Sequence, residues 1–170
     1  MDEKLCWFAS RTRYGQELSI GRKLAERGVE LFIPTKITTV ERNGRRRKVE
    51  KPLINNLVFL RATKPVALEL ANAWGIPLHY IIDRSTSTLL VIPDKQMDDF
   101  VRVLGEEEEE VTGLAGQPVA AGDRIRVVRG KLKGVEGQVL EAGNKTYIVV
   151  SLCGLLQAKA RVPRTAFEKI

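Results

Sequence analysis

The sequence predicts an α+β protein, in which an antiparallel sheet with packed helices is followed by a small all-β barrel of the SH3-like kind. Three observations predict this class. Segments rich in β-branched residues alternate with segments of helical apolar spacing through residues 1–104. Closely spaced glycines and short β-rich segments dominate residues 118–170. A run of five glutamates, followed by glycines, separates the two parts.

The composition break covers residues 105–117, which read GEEEEEVTGLAGQ. Like charges repel one another along this run, and its glycines carry no side chain that packs. We interpret the segment as a flexible acidic linker; the alternative for its first few residues is a continuation of the preceding helix. The predicted organisation is therefore a first domain at 1–104, a linker at 105–117 and a second domain at 118–170.

The first domain is predicted to run β-α-β-β-α-β-β-α. Residues 6–10 form a short aromatic and apolar strand, and residues 16–27 have helical spacing that ends at Gly28. Strands follow at 29–40 and 53–60. The remaining elements are a helix capped by Thr63, short strands at 77–82 and 88–92, and a helix at 94–104. This order predicts an antiparallel sheet with helices on one face, close to the ferredoxin-like pattern, which by itself decides no function.

A basic hairpin is predicted within this domain. Asn43 and Gly44 both tolerate positive φ, which makes this dipeptide a strong hairpin signal. Residues 36–51 contain seven basic and two acidic side chains, and the run 45–48 directly follows the predicted tip. The whole chain of 170 residues has a formal net charge of +7. Because ten basic and four acidic residues lie in 111–170, the positive charge is concentrated in the hairpin and the second domain, and an anionic partner is expected.

The second domain contains a glycine-rich motif at 121–140, AGDRIRVVRGKLKGVEGQVL. Apolar Ile125 and Val127 alternate with arginines, and Gly130, Gly134 and Gly137 permit sharp reversals between short strands. This pattern resembles the KOW motif, which occurs in NusG-type transcription factors and in ribosomal proteins. The resemblance implies an SH3-like barrel at 118–170.

The first domain resembles the N-terminal domain of the NusG family. The resemblance rests on Trp7-Phe8 in the first strand, Phe32-Ile33-Pro34 after the first helix, the basic hairpin at 42–48, and KPLINNLVFL at 51–60. With the KOW motif, it extends over essentially the whole chain. Segments 52–59 and 92–100 are most similar to the specialised paralogues RfaH and especially UpxY, which promote transcription of long polysaccharide-synthesis operons. The chain departs from the family where Pro-Gly-Tyr is usual and it has Asn55-Asn56-Leu57.

The resemblance implies a transcription elongation or antitermination factor that binds bacterial RNA polymerase and suppresses pausing or termination. An apolar patch on the first domain would pack against the clamp helices of the largest polymerase subunit. The alternative for these residues is ordinary packing in the core, since strand side chains alternate between faces. The candidate polymerase-binding residues are Phe8, Leu53, Ile54 and Leu57.

The family position also implies contact with non-template DNA or leader RNA. Basic side chains of the first domain would neutralise phosphates or contact exposed bases. The alternative is a solvated charged face. The candidate nucleic-acid-binding residues are Arg11, Arg13, Arg22, Arg45, Arg46, Arg47 and Lys48.

For the KOW module, the resemblance implies binding of Rho or a small-subunit ribosomal protein. Some RfaH-type modules refold as helices, whereas the β-branched run at 147–150 favours the barrel here. Two competing functions stay open at this point. The chain would be a ribosomal accessory protein that binds RNA through the KOW barrel, or an adaptor that leaves the elongation rate unchanged.

Enzymatic chemistry is not expected. The two cysteines, Cys6 and Cys153, lie far apart, and the one histidine, His79, has no identifiable nucleophile or metal partner. Phosphate-loop spacing is lacking, so we expect neither a cofactor nor a metal. The apolar run at 5–9 is too short for a signal peptide, and no stretch has the length of a membrane span. We therefore expect a cytoplasmic monomer without a membrane partner.

Overall fold

Three α-helices and several antiparallel sheets make up the part of the chain that the computed structural model describes, which confirms the predicted fold class. The described residues are 4–105, 110–112 and 122–170. They divide into two compact units, Met1–Ile92 and Pro93–Ile170. None of the three helices is long and apolar enough to cross a lipid bilayer.

The first unit is built around a four-stranded sheet. In chain order its elements are β1 (Cys6–Arg11), α1 (Glu17–Glu26), β2 (Glu30–Phe32), β3 (Thr35–Arg42), β4 (Arg45–Pro52), β5 (Leu57–Ala62), α2 (Lys64–Asn72), β6 (His79–Tyr80), β7 (Ile82–Asp83) and β8 (Thr88–Leu89). The sheet order is β2-β5-β1-β6, with antiparallel neighbours. The order of its strands along the chain, interrupted by α1 and α2, is the β-α-β-β-α-β arrangement of ferredoxin-like folds.

One face of this sheet forms the core with the two helices. Strands β1 and β5 pair from Cys6↔Ala62 to Arg11↔Leu57, so Phe8 and Leu60 are direct neighbours on the same face. Phe8, Leu60 and the α1 residue Leu24 belong to one buried hydrophobic cluster. Burying one such side chain contributes roughly 1.5–3 kcal/mol, so this cluster is the main stabilising contact of the unit.

Helix boundaries follow the local signals in the sequence. The Thr63 hydroxyl accepts a hydrogen bond from the Val66 N–H at 3.4 Å and starts α2, as predicted. Gly28, with φ of 73°, follows the end of α1. The third helix, α3, covers Asp94–Leu104, which is the predicted range.

The strand predicted at 29–40 is divided in the structure. It forms β2 and β3, which are separated at Ile33 and Pro34. Proline has no N–H to donate, and the Pro34 carbonyl instead accepts a hydrogen bond from the Leu53 N–H at 2.7 Å. As a result β3 and β4, which form the basic hairpin, pair only with each other and are not part of the four-stranded sheet.

The second unit combines α3 with a β-rich module that is consistent with a KOW domain. Its strands are β9 (Glu110–Thr112), β10 (Arg124–Val127), β11 (Glu136–Ala142), β12 (Lys145–Leu152), β13 (Leu156–Arg161) and β14 (Phe167–Lys169). They form an antiparallel sheet in the order β14-β10-β11-β12-β13-β9. Glycine is required at position 137, where β11 lies beside β12, because a Cβ at this position would overlap the Val149 carbonyl oxygen.

The predicted linker falls largely outside the described residues. Residues 106–109 and 113–121 are not described, whereas 110–112 form β9 and pair with β13, with Thr112 opposite Gln157. Helix α3 packs on β12 and β13, and its contacts therefore group it with the second unit. The domain boundaries at 104 and 118 stay predictions.

A buried carboxylate attaches α3 to the β-rich module. Asp99 is 3% exposed, and its carboxylate accepts hydrogen bonds from the Lys95 ammonium at 2.7 Å and the Glu136 N–H at 3.2 Å. The Lys95 ammonium also donates to the Gly134 carbonyl at 2.7 Å. The contact between Lys95 and Asp99 lies within α3 and compensates the buried charge, whereas the other two contacts join α3 to the β-rich module.

We expect Asp99→Ala to lower the free energy of unfolding by about 1–3 kcal/mol, because the Glu136 N–H loses its acceptor in a buried position. Urea denaturation of the whole chain measures the change. The matched control is Asp98→Ala, since Asp98 is the exposed neighbour on the same helix and should change stability by less than about 0.5 kcal/mol. Equal effects of the two substitutions would contradict this assignment.

Candidate functional site

A short turn between β4 and β5 contains two of the predicted polymerase-binding residues. Three hydrogen bonds hold it. The Leu53 N–H donates to the Pro34 carbonyl at 2.7 Å, and the Asn56 N–H donates to the Glu17 carboxylate at 2.7 Å. The Thr12 N–H donates to the Asn56 carbonyl at 3.0 Å. The turn is therefore attached at both ends, to the chain before β3 and to the β1–α1 connection.

Glu17 helps to hold the turn through its hydrogen bond with Asn56, and the sequence did not predict this role. It lies in the first turn of α1 and is only 2% exposed. The partial positive charge at a helix N-terminus favours a carboxylate there, and the hydrogen bond from Asn56 gives it a partner. An acidic residue at the start of a predicted helix was the available signal, but its partner is 39 residues away in sequence.

Asn56 occupies the left-handed region, with φ of 66°. This is the position at which the family pattern has glycine. Asparagine is among the few residues with a side chain that adopt this conformation readily. The departure from the family pattern therefore preserves the turn, and β5 begins directly after it at Leu57.

We expect Asn56→Ala to destabilise the protein by about 1 kcal/mol, because alanine resists the left-handed conformation that the turn requires. Asn56→Gly is the matched variant and should retain wild-type stability or exceed it slightly. Thermal or urea unfolding of both variants gives the comparison. If alanine were tolerated as well as glycine, the backbone at position 56 would not be the constraint.

The structure separates the four predicted polymerase-binding residues. Leu53 and Ile54 lie in the turn and are partly exposed. Phe8 is 1% exposed and belongs to the cluster that faces the helices. Leu57 is 3% exposed, and strand alternation with Val58 of that cluster places it on the opposite face of the sheet. The geometry thus assigns Phe8 a packing role, and polymerase contact stays a prediction for the set.

The structure brings Arg11 close to the turn. Arg11 is exposed and pairs directly with Leu57 at the end of β1. Arg13 is exposed two residues later, beyond Thr12, whose N–H donates to the Asn56 carbonyl. Arg22 lies on the exposed side of α1. Arg11 and Arg13 therefore flank the turn, whereas Arg22 belongs to a different surface element.

The basic hairpin has the predicted tip. Asn43 and Gly44 have φ of 54° and 74°, as a two-residue turn with two positive φ values requires. Strands β3 and β4 pair without interruption over eight residue pairs, from Thr35↔Pro52 to Arg42↔Arg45. All four residues of the run 45–48 are exposed. Because strand side chains alternate, these four cations do not form one patch: the first and third lie on one face, and the second and fourth on the other. They are, in order, Arg45, Arg46, Arg47 and Lys48.

Several cations of the second unit are compensated internally. Glu136 accepts two hydrogen bonds from the Arg126 guanidinium, at 3.0 and 2.8 Å, and Arg124 lies 3.8 Å away. The hydrogen bond from Arg126 holds the pKa of Glu136 below its ordinary value. Two further ion pairs join exposed residues, Lys169 with Asp123 at 2.9 Å and Arg164 with Glu141 at 3.0 Å. Three of the four acidic residues in 122–170 are thus paired with cations of the same module.

Comparison with known proteins assigns the chain to a family. The family described as "Transcription termination factor nusG" matches residues 5–114, which is more than half of the chain. The chain therefore belongs to the NusG family of transcription factors.

One solved structure supports the same fold. The chain is similar to Thermotoga maritima NusG, in a structure described as "Domain interaction in Thermotoga maritima NusG", with a TM-score of 0.52 and 18% identity over 98% of each chain. A MjSpt4:Spt5 complex is matched over 96% of this chain and 97% of that chain, with 10% identity and a TM-score of 0.29.

A curated relative matches a shorter part of the chain. The large ribosomal subunit protein uL24 of Korarchaeum cryptofilum (strain OPF8) is 35% identical over 57 residues, which is 34% of this chain. The chain spans 43% of the length of that relative.

Proposed function

We propose that this protein is a transcription elongation factor of the antitermination kind, which binds RNA polymerase and suppresses pausing or termination. The observation that carries the proposal is the fixed turn at 53–56, within the region that matches the NusG family. It presents Leu53 and Ile54, two partly exposed apolar side chains, on a backbone held by three hydrogen bonds. A preorganised apolar contact loses little conformational entropy on binding.

The proposed partner surface is the pair of clamp helices of the largest polymerase subunit. An apolar helical surface would cover the turn, and Arg11 and Arg13 beside it would lie towards the nucleic acid. The protein would act by population shift, binding the closed polymerase better than the open, paused state. A preference of about 1.4 kcal/mol changes the ratio of the two states tenfold.

The proposed specialisation is that of the UpxY and RfaH paralogues, which serve long polysaccharide-synthesis operons. Its support is the similarity of segments 52–59 and 92–100 to these paralogues. The proposal includes nucleic-acid contact through the basic side chains of the first unit, and Rho or a small-subunit ribosomal protein as partner of the KOW module. The protein would act in the cytoplasm as a monomer, without enzymatic activity, cofactor or membrane partner.

A second candidate function is RNA binding by the KOW module in a ribosomal context. The identity of 35% with uL24 over 57 residues favours it. The internal ion pairs of Arg126, Lys169 and Arg164 weigh against it, because paired cations release fewer counterions on binding RNA.

We expect the whole protein to co-elute with core RNA polymerase of its host, and Leu53→Glu/Ile54→Glu to lose this binding. Two buried charges in the interface would cost several kcal/mol, so the affinity should fall by about a hundredfold or more. The matched control is Ile37→Glu/Leu68→Glu, which adds the same charge at apolar residues that are 72% and 40% exposed elsewhere on the first unit.

Cooperative unfolding of both double variants establishes that they remain folded. Loss in the turn variant with retention in the control supports the proposed surface. If the wild-type protein does not bind polymerase and instead binds ribosomal RNA with a steep dependence on salt, the second candidate function replaces the first.

We also expect the wild-type protein to shorten pause lifetimes in a single-round transcription assay, because it favours the closed polymerase. The Leu53→Glu/Ile54→Glu variant should leave these lifetimes at the value without factor. Unchanged lifetimes with a wild-type protein that does bind polymerase would contradict the antipausing role and would indicate an adaptor.

A further inference from the structure

The register of the hairpin divides its side chains into two faces. Residues paired directly across the two strands lie on the same face, and successive residues alternate between faces. We call the first set the basic face; it consists of Lys36, Thr38, Val40, Arg42, Arg45, Arg47, Val49 and Lys51. The second set is the opposite face and consists of Thr35, Ile37, Thr39, Glu41, Arg46, Lys48, Glu50 and Pro52.

The charge of the hairpin is distributed unequally between these faces. The basic face has five cationic side chains and no acidic one, whereas the opposite face has two of each sign. The entire net charge of +5 between residues 36 and 51 therefore lies on one face. Linear sequence conceals this division, because the run at 45–48 contributes two cations to each face.

The cations of the basic face are accessible. All five are exposed, and none forms an ion pair with another residue in the parts of the chain described, 4–105 and 122–170. Between the pair at the tip and the pair at the base, six residues of strand extend about 20 Å. The centre of the face contains Thr38, Val40 and Val49, which are partly buried and leave the long basic side chains as its outermost groups.

We propose that the basic face of the hairpin binds the phosphate backbone of double-stranded DNA. A two-stranded β-ribbon fits the major groove of B-form DNA, and the duplex presents a negative charge about every 1.7 Å along its axis. Five cations along about 20 Å match such a ligand without acidic residues that would repel it. This inference rests on the nucleic-acid contact proposed above, and the register adds which face of the hairpin makes it.

The side chains of this face distinguish duplex DNA from other nucleic acids. Proteins that bind single strands stack bases on aromatic side chains, and the basic face has none. Duplex RNA has a deep and narrow major groove that excludes a ribbon. The face also lacks Asn and Gln, the residues that read adenine in the major groove. Because the proposed contacts are to phosphates, binding should depend strongly on salt.

Two double variants test the proposal with the same change of charge on the same strand. Arg45→Gln/Arg47→Gln removes two cations from the basic face, and Arg46→Gln/Lys48→Gln removes two from the opposite face. Binding of the whole protein to a short duplex of mixed sequence is measured by fluorescence anisotropy at several salt concentrations. The same DNA as a single strand, and a duplex RNA of the same sequence, are measured alongside.

The basic-face variant should weaken duplex DNA binding about tenfold or more and lower the salt slope by about 2, because two phosphate contacts are lost. Arg46 and Lys48 are nucleic-acid-binding candidates by sequence, but the register places them on the opposite face, and the inference assigns them no phosphate contact. The opposite-face variant should therefore keep the salt slope and change affinity by less than about threefold, since only long-range attraction is reduced. The wild-type protein should bind duplex DNA more tightly than the single strand or duplex RNA. Both variants should unfold like the wild type, because the substituted side chains are exposed.

Equal losses in the two variants would overturn the proposal, since they would show a response to net charge and not to one face. A wild-type protein that does not bind duplex DNA, or that prefers the single strand or duplex RNA, would also overturn it. Co-elution with polymerase separates this result from the proposed function. A wild-type protein that binds polymerase but not duplex DNA refutes only the inference about the hairpin.

Discussion

The pairing of β1 with β5 is the contact on which the first unit depends. Its register from Cys6↔Ala62 to Arg11↔Leu57 determines which side chains contact α1 and α2 and which lie on the opposite face. The same register ends at Leu57, so it also determines where the turn before β5 ends. Phe8 and Leu57 are both buried, Phe8 against the helices and Leu57 on the opposite face. A shift of β5 by one residue would exchange the β5 side chains that face the helices for those of the opposite face.

The turn at 53–56 connects this core to a surface suited to binding. Its hydrogen bonds join it to Pro34, before the hairpin, and to Glu17, at the start of α1. A buried carboxylate is costly without a partner, and here the partner is a backbone N–H of the turn itself. The stability of the helix start and the conformation of the candidate interface are thus two consequences of one contact.

Charge is organised differently in the two units. In the second unit, Glu136 is paired with arginines and Asp99 with Lys95, so the charges contribute to packing of the β-rich module and α3. In the hairpin, five cations on one face have no acidic neighbour on that face. Charges of the first kind stabilise the protein itself, whereas an uncompensated row of cations costs repulsion and is consistent with an external anionic ligand.

Local signals in the sequence determined the class of the fold and several elements. These elements depend on residues within a few positions of one another, so they can be predicted from the sequence alone. They are the Thr63 cap, the extent of α3 and the turn at Asn43-Gly44. The family resemblance likewise rests on contiguous motifs. The division of the predicted 29–40 strand at Pro34 was missed, although the proline itself is a local signal because it has no N–H to donate.

Only the tertiary structure decided which residues share a surface. Phe8 and Leu57 lie on opposite faces of one sheet, and Arg45 and Arg46 on opposite faces of one ribbon, because pairing register is a relation between distant segments. Burial of Glu17 and Asp99 follows from partners 39 and 37 residues away. These contacts depend on the energy of the whole fold, so they cannot be predicted from a local pattern in the sequence.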